Sequence, residues 1–375
     1  MFNDVASEMV YPIIPIFLTA VLGAPVAIVG VIEGVAEATA NLLKVFSGWL
    51  SDWLRRRKGF VAGGYLLSAL AKLLLSVALS WHVVLTARFI DRFGKGVRTA
   101  ARDALIADSA GPHERGAAFG LHRALDTVGA VVGPIIALLL LQLWSGNYPR
   151  IFLVAAIPAF LGVALLFVGV KEPPHDSIPP RVPITLRLSQ FGKPFRLFLL
   201  ASVVFSLGNS SDAFLILRSQ SLGFSVTGTV LLYVAFNVVY SLLSYPLGSL
   251  SDRLGMRSLL TFSFFLFSLV YAGFGFAPEG WYLWIFFIAY GVYMAMSEGI
   301  SKAYIANLVP AEVKGTAIGL FATVTGLTTF FSSVLAGILW NELGAHAPFY
   351  FGAGLSLAAG LLFITTGNQE GGSVQ

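Results

Sequence analysis

The chain has 375 residues, of which 57% are hydrophobic and only 11% are charged, and its mean hydropathy is +0.81. Soluble domains carry about 25% charged residues, so this composition argues against a soluble enzyme and indicates a membrane protein. The sequence contains no cysteine, which excludes disulfides, thiolate catalysis and cysteine-ligated metal sites.

Apolar runs of about 20 residues recur along the chain, each long enough to cross about 30 Å of hydrocarbon as an α-helix. A β-barrel would instead show ten-residue segments that alternate in polarity. The pattern therefore predicts twelve transmembrane helices. In chain order, predicted helices 1 to 12 cover residues 1–22, 26–50, 59–79, 82–107, 116–143, 149–170, 195–217, 226–250, 257–277, 281–306, 315–340 and 345–366.

The basic residues in the loops and at the adjoining ends of these helices predict the orientation of the chain. One set of loops holds thirteen of them, namely Arg55, Arg56, Arg57, Lys58, Arg115, Lys171, Arg181, Arg187, Lys193, Arg196, Arg253, Arg257 and Lys314. The opposite set holds Arg150 and Arg218. This bias places the first set and both termini on the cytoplasmic side of a bacterial-type inner membrane. The pI near 9.4 then reflects contacts with an anionic leaflet and requires no nucleic acid.

At its start, predicted helix 1 carries Asp4 and Glu8 within its first two turns, and Pro12 and Pro15 should kink it. Compared with the equivalent segment of the second half, it lacks roughly ten preceding residues. We therefore expect the natural chain to begin further upstream.

The same short motif follows predicted helices 2 and 8. The first copy reads GWLSDWLRRRK from Gly48 to Lys58, and the second reads GSLSDRLGMRS from Gly248 to Ser258. A motif that recurs at half the chain length indicates a duplicated helical bundle.

The motif resembles the loop signature of the major facilitator superfamily, and the resemblance extends over essentially the whole chain. It implies an all-α membrane protein of twelve transmembrane helices, arranged as two pseudo-symmetric six-helix bundles with a substrate cavity between them. In that family the loop is thought to lock the outward-facing state. The gating residues implied here are Gly48, Asp52, Arg56, Gly248, Asp252 and Arg257. The first copy departs from the pattern at Arg55, where the central glycine is usual.

Four segments are predicted on this basis. Residues 1–170 form the N-terminal bundle and 195–366 the C-terminal bundle. Residues 171–194 contain the proline-rich sequence KEPPHDSIPPRVP, which disfavours a helix and predicts a cytoplasmic linker. Residues 367–375 are predicted to be a disordered tail.

Predicted helix 4 carries an unusual charged stripe in the sequence TARFIDRFGKGVRTAARDALIAD. Its basic residues recur at intervals of three or four, which places them on one helical face. Such a face cannot contact lipid and must line water or meet carboxylates, for which Glu33, Glu37 and Asp126 are candidates. A salt-bridge scaffold and a substrate site both remain open. The cavity or substrate candidates are Asp4, Glu33, Arg88, Asp91, Arg92, Lys95, Arg98, Asn209, Asn237, Tyr240 and Glu298.

Predicted helix 5 contains Gly129, Gly133 and Pro134 in DTVGAVVGPII. The two glycines permit close helix packing, and the proline bends the helix. This sequence resembles the family motif associated with antiporters and therefore implies export.

Carboxyl groups in the membrane are the candidates for proton coupling, because desolvation disfavours their charged form. Glu8, Glu37 and Asp126 are the leading candidates, followed by Asp212.

Together these features predict a drug/proton-antiporter-like secondary transporter that exports a small solute by alternating access. The alternatives are a symporter or uniporter that imports a small organic anion, and a non-transporting receptor of the same fold. The expected partners are a small-molecule substrate, protons and the lipid bilayer. We expect a monomer with no enzyme activity, cofactor or metal.

Overall fold

The computed structural model describes residues 1–54, 57–109, 115–144, 146–170, 188, 191–310 and 313–365. Over these residues the chain is almost entirely helical. The helices of the first half are α1 (Phe2–Val10), α2 (Ile14–Ile16), α3 (Val26–Leu54), α4 (Arg57–Ser76), α5 (Trp81–Ser109), α6 (Arg115–Leu143) and α7 (Tyr148–Gly169). Those of the second half are α8 (Lys193–Gly208), α9 (Ala213–Ser221), α10 (Val226–Leu254), α11 (Met256–Phe276), α12 (Tyr282–Leu308), α13 (Lys314–Leu343) and α14 (Ala347–Thr365).

Within the described part, eleven helical spans are long and apolar enough to cross a membrane. The remaining predicted helix is α5, whose charged residues interrupt the apolar pattern. Its 29 residues span about 44 Å at 1.5 Å per residue, so its length suffices. The predicted all-α fold class with twelve long helices is confirmed.

Predicted helix 1 is not continuous, contrary to the predicted segment 1–22. Helix α1 ends at Val10, α2 begins at Ile14, and a π-helical segment covers Phe17–Val21. Pro12 and Pro15 explain the interruption, because proline has no N–H to donate and its ring collides with the preceding turn.

Predicted helix 7 (195–217) is also interrupted, between Gly208 and Ala213. The hydroxyl oxygen of Ser211 accepts a hydrogen bond from the Ala213 N–H at 3.3 Å, and the Ser211 N–H donates to the hydroxyl oxygen of Ser333 on α13 at 3.1 Å. Serine side chains that bond nearby backbone groups compete with helical hydrogen bonding. The interruption brings Asp212 to the start of α9.

The duplicated motif is more helical than predicted. Helix α10 continues to Leu254, four residues beyond its predicted end, so Gly248 and Asp252 lie on its last two turns; α3 extends in the same way. Gly255 then adopts a φ of +88°, which favours glycine, and the chain turns into α11. The corresponding Arg55 lies outside the described residues.

The chain forms two compact units, Met1–Val182 with Ser225–Val234, and Pro183–Phe224 with Ala235–Gln375. In the first unit, α5 packs against α3 and α4, and α1 packs against α6 and α7. In the second, α11 packs against α12 and α14, and α8 against α13 and α14. The predicted linker lies mostly outside the described residues, although α8 begins within it, and the predicted tail lies wholly outside them.

Candidate functional site

The charged stripe predicted on helix 4 lies on α5 and faces the interior of the first unit. We call Arg88, Asp91, Arg92, Lys95 and Arg98 the α5 stripe. Its three arginines are each at most 8% exposed. A buried charge is costly unless a partner compensates it. The groups around each member therefore decide what it can do.

Arg88 forms a buried ion pair with Glu33 of α3. Its Nε donates to Glu33 Oε1 at 3.0 Å and its Nη2 donates to Oε2 at 2.7 Å. Two parallel hydrogen bonds of this kind are the strong geometry for arginine and carboxylate. The pair holds α5 against α3.

Asp91 pairs with Lys72 of α4, which is 2% exposed. Lys72 Nζ lies 2.9 Å from Asp91 Oδ1 and donates to the Ser7 hydroxyl of α1 at 3.1 Å. Neither Lys72 nor Ser7 was among the predicted site residues. The available signal for Lys72 was a lysine in the middle of an apolar helix, which is rare inside membranes.

Arg92 faces Glu37 of α3, with its Nη2 3.4 Å from Glu37 Oε1. The ring of Tyr11, the residue after α1, lies beneath two guanidinium groups, with its centre 6.0 Å from that of Arg92 and 5.5 Å from that of Arg88. Sequence reasoning did not predict a role for Tyr11.

Lys95 and Arg98 differ from the rest of the stripe, because no carboxylate in the described part of the chain lies within 4 Å of either. Arg98 Nη1 donates to the Ser68 hydroxyl at 2.6 Å, and its guanidinium lies 4.6 Å from the centre of the Tyr65 ring. Its Nε has no hydrogen-bond partner among the described residues. Lys95 is half-buried. Within the described chain, these two residues are therefore cations without a counter-ion.

Glu8 of α1 is the converse case, a carboxylate without a basic partner. Its Oε2 accepts a hydrogen bond from the Tyr233 hydroxyl at 2.9 Å, and no described basic group lies within 4 Å. Lys95 and Arg92 are the basic charges that act on it most strongly. Tyr233 is 5% exposed and its ring lies 5.8 Å from that of Tyr11. Tyr233 is a further residue that the sequence did not indicate.

The predicted glycines of helix 5 lie on α6 where α1 crosses it. A Cβ atom added to Gly133 would lie 2.6 Å from the Val5 carbonyl oxygen and 2.9 Å from Glu8 Cβ, and one added to Gly129 would lie 2.8 Å from Asp4 Cβ. Only glycine permits so close an approach. These residues therefore fix the position of the carboxylates on α1.

Asp126 does not pair with the α5 stripe, contrary to the expectation that it is a candidate partner. Its described neighbours are His122, whose Nδ1 lies at 3.2 Å, and the amino group of Met1 at 3.6 Å. That amino group also lies 2.9 Å from Asp4. Asp126 does not reach the stripe because α6 packs against α1, which places its side chain beside the start of α1.

In the second unit, the predicted acids are bonded by tyrosines. Tyr290 donates to Asp212 Oδ1 at 2.6 Å, and Tyr240 donates to Glu298. Lys302 Nζ lies 3.9 Å from Glu298, and both side chains are substantially exposed. Of the two predicted asparagines, Asn237 is buried and Asn209 is half-buried, with its side-chain oxygen inside the protein.

The two copies of the gating motif are described to different extents. In the first copy Arg56 and the side chain of Asp52 lie outside the described residues, whereas Lys58 Nζ donates to the Phe167 carbonyl oxygen at 3.0 Å. In the second copy Asp252 is exposed. Arg257 Nη2 donates to the Phe363 carbonyl oxygen at 2.6 Å. In each half of the chain, a basic residue that follows the motif therefore contacts the end of the last helix of that half, which is α7 in the first half and α14 in the second.

Comparison with known proteins shows the family. Residues 1–233 and 198–371 match the profile of the Major Facilitator Superfamily. An uncharacterized MFS-type transporter of Methanocaldococcus jannaschii is 37% identical over 369 residues, which cover 96% of this chain and 91% of the relative. The quinolone resistance protein NorA of Staphylococcus aureus is 22% identical, with 95% of this chain and 91% of NorA covered.

Solved structures agree on the fold. The crystal structure of the nucleoside transporter NupG superposes with a TM-score of 0.79 and 14% identity, covering 97% of this chain and 96% of that one. A POT family transporter in complex with 5-aminolevulinic acid gives a TM-score of 0.79 at 13% identity, covering 98% of this chain and 95% of that one. The family and these neighbours are transporters rather than enzymes. The chain therefore belongs to the major facilitator superfamily and is an integral membrane transporter of a small solute.

Proposed function

We propose that the protein is a proton-coupled antiporter that exports its solute by alternating access, and that Glu8 carries the proton. The observation that carries this proposal is the Glu8 carboxylate, which accepts a hydrogen bond from Tyr233 at 2.9 Å and has no described base within 4 Å. The other acids that face the α5 stripe differ in this respect.

Ion pairing separates Glu8 from Glu33, Glu37 and Asp91. Each of these three has a basic group within 3.4 Å, supplied by Arg88, Arg92 and Lys72 respectively. Protonating one of them would strand a buried positive charge, which is costly. Protonating Glu8 breaks no ion pair, so Glu8 is the member of the cluster that can exchange a proton at the smallest cost. We rank Glu37, Asp126 and Asp212 after it.

Two features support export. Gly129, Gly133 and Pro134 form the sequence that resembles the antiporter motif, and the two glycines hold α1 where it carries Glu8. Among the relatives, NorA is named for quinolone resistance and MdtH of Photorhabdus laumondii, 30% identical over 155 residues, for multidrug resistance. Both names fit removal of a compound from the cell.

The motif residues around Asp52 and Asp252 act as gates on the cytoplasmic side that lock the outward-facing state, because they end α3 and α10 next to basic groups. The protein works as a monomer in the inner membrane of a bacterial-type cell. Both of its termini lie in the cytoplasm, an orientation that the distribution of lysine and arginine supports.

Proton movement in proteoliposomes tests the proposal. Solutes are first found by thermal-shift screening of the purified full-length protein against a chemically diverse library. Each stabilising solute is then added to vesicles that contain the protein and a pH-sensitive dye. An antiporter moves protons opposite to the solute, so solute uptake should raise the pH inside. Solute entry that lowers the internal pH would indicate symport, and solute flux without any proton movement would indicate uniport. Either result would overturn the proposal.

A further inference from the structure

Two polar faces of opposite charge lie opposite each other in the first unit. Asp4, Glu8 and Tyr11 are four and three residues apart and share one face of α1 and the residue after it, while Arg92, Lys95 and Arg98 recur every third residue on α5. The two helices have different packing partners, since α1 packs on α6 and α7, and α5 on α3 and α4.

Direct contacts establish the register of these faces. Tyr11 lies beneath Arg88 and Arg92. One turn further back along α1, the Ser7 hydroxyl accepts a hydrogen bond from the Lys72 that holds Asp91. The next acids follow the same order by their spacing, because Glu8 and Asp4 precede Tyr11 by one and two turns, while Lys95 and Arg98 follow Arg92 by one and two turns. The charges of Lys95 and Arg98 act on Glu8 and Asp4 respectively.

The opposite charges at the centre of this arrangement form no ion pair within the described residues. In the described residues, neither Lys95 nor Arg98 has a carboxylate within 4 Å, and Glu8 has no base within that distance. Arg98 is 5% exposed and its Nε lacks a hydrogen-bond partner in the same part of the chain. Buried charges and donors are normally satisfied. Among the described residues, the two bases therefore have no anion beside them, and Glu8 has the neutral Tyr233 hydroxyl but no basic group beside it.

We propose that the transported solute is a zwitterion, whose acidic group binds between Lys95 and Arg98 and whose ammonium or other N–H donor binds Glu8. This inference rests on the proposed proton exchange. In an antiporter the solute leaves when a proton binds, so the solute and the proton must compete for the Glu8 carboxylate. A simple anion would favour protonation of Glu8 and travel with the proton. A simple cation would be repelled by the bases of the α5 stripe.

The test measures binding by titration calorimetry on the purified full-length protein. The probes are the ω-amino carboxylates from glycine to ε-aminocaproate, together with p-aminomethylbenzoate. Each is compared with its two analogues of single charge, for example caproate and hexylammonium, or p-toluate and p-methylbenzylammonium. We expect at least one zwitterion to bind roughly tenfold or more tightly than both of its analogues, since each analogue lacks one set of charged hydrogen bonds.

Variants assign the two ends of the ligand. Lys95→Gln should remove the advantage of the zwitterion over its cationic analogue, and Lys95→Arg should restore it. Glu8→Gln should remove the advantage over the anionic analogue. Arg150→Gln, which changes an exposed base outside the cluster, is the matched control and should leave all affinities unchanged.

Three results would overturn the inference. These are equal affinity for a single-charge analogue, no binding by any member of the series, and a zwitterion advantage that survives both Lys95→Gln and Glu8→Gln. The failure of the proposed function looks different. If the best-binding zwitterion is transported without moving protons, antiport is wrong although the site is correct. If protons exchange for a library solute that lacks one of the charges, antiport stands and the zwitterion inference is wrong.

Discussion

Arg88 and Glu33 join α5 to α3 through two hydrogen bonds of 3.0 and 2.7 Å, with both side chains at most 5% exposed. In contrast, Arg98, less than three helical turns further along the same face, has no carboxylate partner in the described chain. One charged stripe therefore contains groups that stabilise the fold and groups that remain available to a ligand.

We expect Arg88→Ala to lower the free energy of unfolding by about 3–5 kcal/mol, because it removes the arginine that pairs with the buried Glu33 carboxylate. Thermal unfolding of the purified protein measures this effect. The double variant Arg88→Gln with Glu33→Gln should be more stable than Arg88→Ala, since it removes both charges. A double variant no more stable than Arg88→Ala would contradict this account of the pair.

Arg98→Ala should behave in the opposite way. It strands no carboxylate, so its melting temperature should fall less than that of Arg88→Ala, while solute affinity should fall roughly tenfold with the lost charged hydrogen bond. Arg102→Ala is the control, because Arg102 pairs with the half-exposed Asp103 at 3.1 Å, and such pairs contribute about 0–1 kcal/mol. A large loss of stability in Arg98→Ala with unchanged affinity would make Arg98 part of the scaffold.

Gly133→Ala should both destabilise the protein and slow transport. The added methyl group would lie 2.6 Å from the Val5 carbonyl oxygen, so α1 must shift, at a cost of about 1–3 kcal/mol. Gly63→Ala is a matched control, because no neighbouring atom of the described residues lies within 4 Å of a Cβ atom there. Equal melting temperatures and transport rates for the two variants would show that the α1–α6 contact tolerates a side chain.

Asp52→Asn and Asp252→Asn should slow the transport cycle while folding and solute binding remain close to wild type. Asp252 is exposed at the end of α10, so its loss removes no buried contact. Initial rates of solute exchange in proteoliposomes measure the cycle, and thermal shift measures binding. Normal exchange by the double variant would exclude gating by both motifs.

Much of the helical framework could be predicted, because a helix that crosses hydrocarbon needs a long apolar run. The pairing of α3 with α5 was also within reach, since Glu33 and Glu37 are one turn apart and so are Arg88 and Arg92. The structure contains an ion pair at each level. Periodicity alone was therefore enough to suggest that α3 meets α5.

Contacts that depend on tertiary structure could not be predicted. The break before α9 depends on a hydrogen bond between Ser211 and Ser333, 122 residues apart. Tyr233 meets Glu8 across 225 residues, and nothing in the sequence around Tyr233 distinguishes it from other membrane tyrosines. Lys72 was visible as an intramembrane base, but its bond to Asp91 required the packing of α4 on α5.

The Glu8→Gln variant tests the proton-carrier role most directly, with Glu342→Gln, an exposed acid at the end of α13, as its control. Both are compared with wild type in proteoliposomes, for solute movement driven by a pH gradient and for exchange between equal solute pools. The variant should lose gradient-driven movement because glutamine cannot bind and release a proton. Exchange at saturating solute should continue, because the transporter then carries solute in both directions and no proton has to bind. Gradient-driven movement at the wild-type rate in Glu8→Gln would contradict the assignment, and loss of exchange as well would show that Glu8 is structural or serves only to bind solute.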